Sequence, residues 1–158
     1  MTKISLAVAS AALAIGMAAP VLAAQTDPEI IIYRFPGVRD DGGAPSAGIA
    51  TVFHCTNFSG ATETIRFATR FTDGSLASNV TTSIPHLATR LASTHDTVAY
   101  NFEELIFLVG TINHGTTAIA ATSINIICTA MTIDASTSAP VGVALRGIRF
   151  NPVPGSQE

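Results

Sequence analysis

Four histidines, eleven acids and two cysteines are the side chains with which this chain could do chemistry. His54, His86, His95 and His114 are scattered, and no two lie at the roughly three-to-five-residue spacing of a metal-ligand pair. His54 adjoins Cys55, but neighbouring residues of a strand point to opposite faces. A zinc site built on both cysteines would also forfeit a disulfide. The sequence therefore predicts no metal ligand set and no cofactor. Ser93, His95 and Asp96 together resemble the parts of a hydrolase triad. No nucleophile-elbow glycines surround Ser93, and His95 and Asp96 diverge in a strand, so the expected reading is a polar strand end. Glu103-Glu104 and Asp40-Asp41 are the adjacent acid pairs. Paired carboxylates across a cleft could act on a glycosidic bond, and Glu103 and Glu104 are the residues to which a hydrolase reading attaches. Asp40-Asp41-Gly42-Gly43 lacks the alternating acids and closing Glu of a calcium loop, and reads as a plain loop.

The cysteines carry the firmest chemical expectation. Cys55 and Cys128 each lie in a run of alternating apolar residues, Cys55 with Ile49 and Phe53, Cys128 with Ile124 and Ile126. Both thiols should point into one core and form a disulfide there, with Cα atoms within about 7 Å. That expectation depends on an oxidising compartment, and the start of the chain supplies a reason for one. Lys3 precedes an apolar run from Leu6 to Ala19, then Pro20 and the small-residue end Val21-Leu22-Ala23-Ala24. This is the layout of a cleavable signal peptide. The run falls short of the about 20 residues of a membrane-spanning helix. Residues 1–23 are expected to be removed and residues 24–158 to form a single domain without a membrane span.

Losing Lys3 takes the net charge from −3 to −4 and leaves arginine as the only permanently cationic side chain. No basic patch exists to hold phosphates, so nucleic acid is not expected as a partner. The abundance of apolar and β-branched residues argues against disorder.

The elements that must position these side chains read as strands. Expected strands cover Glu29–Phe35, Ile49–Asn57, Thr64–Thr72, Leu76–Ile84, Thr89–Thr94, Thr117–Ala121, Ile124–Ile133 and Val141–Phe150. In the clearest, Ile65, Phe67 and Phe71 alternate with Arg66, Ala68 and Arg70, and Asp73-Gly74 closes a hairpin. Asn101–Val109 fits either a strand or a single helical turn, since Asn101 and Glu104 resemble a capping box. Pro36 with Arg39–Pro45 is expected as a loop, and Asn113-His114-Gly115 as a turn. In Val141–Phe150 the apolar parity changes near Gly147, which predicts a β-bulge. Seven to eight short strands predict an all-β antiparallel sandwich, immunoglobulin-like or jelly-roll-like. The cysteine spacing would suit an immunoglobulin disulfide between sheets. The chain has no Trp, however, and Ile126 stands where the tyrosine of that fold is expected.

Two segments, Ala50–Asn57 and Ile126–Met131 with the tail from Arg149 to Glu158, resemble a group of small secreted bacterial proteins of unknown function. The resemblance spans most of the mature chain. It implies a bacterial exported protein with a cysteine-bearing strand near each end, and brings no activity or site residues. The function expected is a non-enzymatic binding or surface-structural module, secreted or periplasmic, with a protein or cell-envelope component as partner. One version is a pilus-like subunit donating the stretch from Gln25 to Phe35. The alternative is a small secreted hydrolase using acids such as Glu103 and Glu104.

Overall fold

Alternating apolar side chains cannot be buried on one isolated ribbon, so these strands must stack in two layers. The computed structural model describes residues 29–43, 45–100, 104–107 and 109–150. Ten strands run β1 (Ile30–Asp40), β2 (Ile49–Asn57), β3 (Glu63–Arg70), β4 (Leu76–Ile84), β5 (Thr89–Ser93), β6 (Glu104–Ile106), β7 (Ile112–Ala121), β8 (Ile126–Asp134), β9 (Gly142–Leu145) and β10 (Ile148–Arg149). They form two five-stranded sheets, ordered β10-β1-β7-β3-β4 and β6-β5-β2-β8-β9. The protein is an all-β sandwich. All pairings are antiparallel except β5 with β6, which is parallel.

Four phenylalanines hold the layers together. Phe53 of β2 meets Phe35 of β1 at 5.7 Å and Phe67 of β3 at 6.0 Å between ring centroids. Phe107, just beyond β6, stacks against Phe53 and Phe67. Phe35, Phe53 and Phe67 are fully buried, with Ile65, Ile84, Ile119 and Ile126 around them. The Thr69 and Thr117 hydroxyls bond each other at 2.8 Å, so these two buried polar groups are satisfied.

Cys55 and Cys128 form the expected disulfide, 4.1 Å apart at Cα. They sit directly opposite each other on β2 and β8, so the bond lies within one sheet rather than between two. Their separation is close to the about 4.5 Å of facing residues in a non-hydrogen-bonded antiparallel pair. Such a bond belongs to an oxidising compartment.

The departures from the sequence reading have local causes. There are ten strands rather than seven or eight, because one expected strand is divided and one ambiguous stretch is β6. Pro36–Asp40 is not a loop: β1 continues through it, with bulges that absorb the irregular residues. A further bulge between Ile31 and Tyr33 lets Ile32 and Tyr33 both be buried, against strict alternation. Asn113-His114-Gly115 is not a turn but part of β7, where Val38 pairs with Gly115 and Asp40 with Ile112. The spare residue of the supposed turn is taken up as a bulge. Val141–Phe150 is two strands in different sheets. Arg146-Gly147 carries the chain from β9 across to β10, and that transfer, rather than a bulge, explains the parity change. A Cβ on Gly147 would lie 2.6 Å from Phe35 Cζ, so the crossing passes tightly over the aromatic core. Arg149 over Tyr33 and Arg34 over Phe150 then fasten β10 to β1. Of the stretch Gln25–Phe35, Ile30–Phe35 pairs with β7 of its own sheet, and residues 25–28 lie outside the described residues.

Candidate functional site

The strongest cluster of chemically capable groups joins residues far apart in sequence. β1 ends at Asp40, and β5 ends at Ser93, two residues before His95. Both ends reach the same end of the sandwich. There His95 Nδ1 lies 2.7 Å from Asp40 Oδ2, and Nε2 lies 2.9 Å from the Ala47 carbonyl. Both side chains are buried. The Ala47 carbonyl only accepts, so Nε2 carries the hydrogen of that bond. The second Asp40 oxygen accepts from the Gly42 amide at 2.7 Å. Asp41 accepts from the amides of Gly43 and Ile49. Gly48 has φ +74°, and any Cβ there would fall on the Asp41 carboxylate. The Ser46 amide donates to Asp96 O.

Asp40, Asp41 and His95 bring potential metal-ligand atoms within 4.8 Å of one another. Those same atoms are engaged in folding the 41–48 loop. A ring whose Nε2–H faces a carbonyl offers no lone pair there, and Nδ1 faces Asp40. The arrangement is half of a triad, an aspartate orienting a histidine, with a backbone carbonyl where a nucleophile would stand. What it does is close a loop.

The other sequence-derived candidates are dispersed. Ser93 is buried in β5 and its Oγ makes no hydrogen bond among the described residues; His95 turns to Asp40 and Ala47. His54 is half-buried against Tyr100, ring centroids 5.1 Å apart, and burial holds its pKa below the usual 6.5. His86 Nδ1 accepts from the Gly60 amide, and His114 is exposed in β7. Glu103 lies outside the described residues, and the backbone of Glu104 begins β6. Residues 1–28, which include the segment expected to be a signal peptide, also lie outside them.

The opposite end of the sandwich carries a feature that sequence reasoning missed. Asn57, fully buried at the end of β2, donates to Ala61 O and Ile84 O and accepts from the Ser59 amide. Its backbone also bonds Leu87 and Ala88. One side chain thus ties the β2–β3 and β4–β5 loops, and Phe58 N to Asn125 O adds the β7–β8 loop. On this rigid frame Phe58 is 50% exposed and Leu87 65%. Ile124 in the β7–β8 loop and Ile127 on β8, opposite Thr56, are exposed as well. Leu87 has φ +60°, a left-handed conformation rare for a residue with a branched side chain. Glu63 nearby is held below the usual carboxylate range by the hydroxyls of Thr122 and Ser59. Apolar loop residues in a sequence look like strand ends, so only the fold brings them to one tip.

No family model matches the chain, and no curated protein matches it. Among solved structures, the crystal structure of Thermotoga maritima 1070 aligns over 73% of this chain and 92% of that one, at 11% identity and a TM-score of 0.47.

Proposed function

We propose that the chain is an exported, non-enzymatic binding or surface-structural module, secreted or periplasmic, whose recognition surface is the tip around Phe58 and Leu87. The observation that carries the reading is Leu87. A leucine held at positive φ while 65% exposed incurs strain and gives up burial at one position. Strain of that kind, of order 1–3 kcal/mol, persists where surrounding structure enforces it and concentrates at functional sites. The Leu87 amide bond to Asn57 O and the Ala88 amide bond to Pro85 O, which closes the turn around Leu87, supply the enforcement. A pre-ordered apolar tip binds without a cost for ordering loops. Scarcity of charge points to a protein or cell-envelope component rather than nucleic acid.

The test uses the exported chain and envelope fractions from its native cells. Leu87→Gly keeps the backbone conformation and removes the side chain; Phe58→Ser removes the ring. Phe58→Ser should retain the wild-type melting temperature within about 2 °C, Leu87→Gly should melt no lower than the wild type because glycine adopts positive φ without strain, and both should lose retention on the envelope. Undiminished retention by both variants would take the tip out of the reading.

A further inference from the structure

Two five-stranded sheets have four edges, and three of them are blunted. β6 and β10 are three and two residues long. β4 is long, but Arg90, reaching from the other sheet, donates to Ser83 O, and Ser78 donates to Phe107 O, so that side of the sandwich is closed over. The fourth edge is β9. Among the described residues it pairs with β8 on one side only. Val141 just before it is 89% exposed, and Val143 within it 72%, the two most exposed large apolar residues of the protein among those described. From Ala135 to Leu145 the chain contains no charged residue. Edge strands are usually protected by charge, by a bulge or by cover, because unpaired amides and carbonyls invite another strand. β9 has only its shortness.

Beside this edge runs an open groove of about 530 Å³, lined by Ile49, Ile133, Val141 and Val143, with Arg39 and Asp134 also on it. The Ser136 hydroxyl and amide hold the Asp134 carboxyl below the usual aspartate range. The Arg39 side chain is exposed and makes no ion pair among the described residues.

We propose that this edge is the contact between two copies of the chain, β9 pairing antiparallel with β9 of a second copy about a two-fold axis. An uncharged strand meets its own copy without opposing like charges. A patch bearing one cation and one anion is self-complementary about a two-fold, Arg39 of each copy facing Asp134 of the other. A uniformly charged patch would repel its copy. Val141 and Val143 of each copy enter the groove of the other, joining main-chain bonding to side-chain pockets as strand addition does. The two β9-bearing sheets become one continuous ten-stranded sheet. Four residues supply few main-chain bonds, and the contact is smaller than a standard interface, so the dimer is weak and concentration-dependent.

Sedimentation equilibrium of the exported chain from about 10 µM to about 1 mM is the test. The wild type should pass from monomer to dimer mass across that range. Val141→Lys/Val143→Lys alters only exposed side chains, should melt like the wild type, and should stay monomeric. Arg39→Glu should raise the dissociation constant at least about 10-fold at low salt. A wild-type monomer throughout, or a dimer unaffected by the double lysine variant, overturns the proposal. Masses climbing beyond the dimer overturn the two-fold arrangement, as does an Arg39→Glu dimer of undiminished strength.

Discussion

His95 and Asp40 satisfy each other in a place where neither could stay alone. A buried carboxylate without a partner costs far more than the net gain of one hydrogen bond, so the pair is held by what its loss would expose. Asp40→Ala leaves His95 Nδ1 without its partner and the Gly42 amide without its acceptor. The expected loss is about 1–3 kcal/mol in urea unfolding, with loop 41–48 the first segment to gain amide exchange. A loss under about 0.5 kcal/mol would show that water replaces the carboxylate without penalty. His54 makes a different prediction. Burial lowers its pKa in the folded chain, while the unfolded chain takes up the proton near 6.5. Between those values the unfolded state holds more protons, so stability falls as the pH drops through the unfolded value towards the folded one. Melting temperature followed from pH 7 downward should therefore decline less in His54→Phe than in the wild type. Equal slopes would mean that the folded protein protonates His54 as readily as the unfolded chain does. The Asp40–His95 pair had no signature in the sequence, because 55 residues separate the partners. Each was visible singly, Asp40 as a loop acid and His95 as a strand-end residue.

At the scale of elements, local patterning revealed strands wherever the period of two held. The spans of β2 and β4 coincide with their apolar runs, and Asp73-Gly74 does close the β3–β4 hairpin, with Gly74 at φ +83°. The misreadings came where turn-forming residues lie inside a ladder. Pro36-Gly37 and Asn113-Gly115 have turn composition, yet β1 and β7 stay paired with each other through this stretch, from Pro36 opposite Thr116 to Asp40 opposite Ile112, and so hold both segments in strands. Sequence cannot register that competition, since the partners are distant in the chain. The β9–β10 crossing shows the same limit: an apolar run reads as one strand even when its halves belong to different sheets. Gly147 makes that crossing possible, because the Phe35 ring occupies the space of a side chain there. Gly147→Ala is expected to cost about 1–3 kcal/mol by overpacking and to loosen β10 more than β9. The check is urea unfolding combined with exchange of the Phe150 amide, which bonds Ile32 O. Wild-type stability in this variant would mean the crossing has room that the ring position denies.

At the scale of the whole molecule, two devices hold the sheets in place, and they act on different states. The phenylalanine cluster acts on the folded state. Phe53 touches rings from β1, from β3 and from the segment after β6, so it couples both layers at one point. Phe53→Ala should cost about 3–5 kcal/mol, the usual range for a buried aromatic. The disulfide acts chiefly on the unfolded state. β2 and β8 are adjacent with or without it, paired over nine residues, so the bond adds little to the folded arrangement. In the unfolded chain it ties together cysteines 73 residues apart. Chain entropy puts that constraint at up to about 4 kcal/mol, against a typical stability of about 5–15 kcal/mol. Replacing both cysteines by Ala should therefore lower the melting temperature by about 10–20 °C while the far-ultraviolet dichroism at 25 °C stays that of the wild type. The ring contacts are unchanged by that replacement, and a chain of this size buries about two-thirds of its unfolded surface without a covalent tie. An alanine pair already unfolded at 25 °C would reverse the order of importance, making the disulfide the condition for folding and the aromatic cluster insufficient alone.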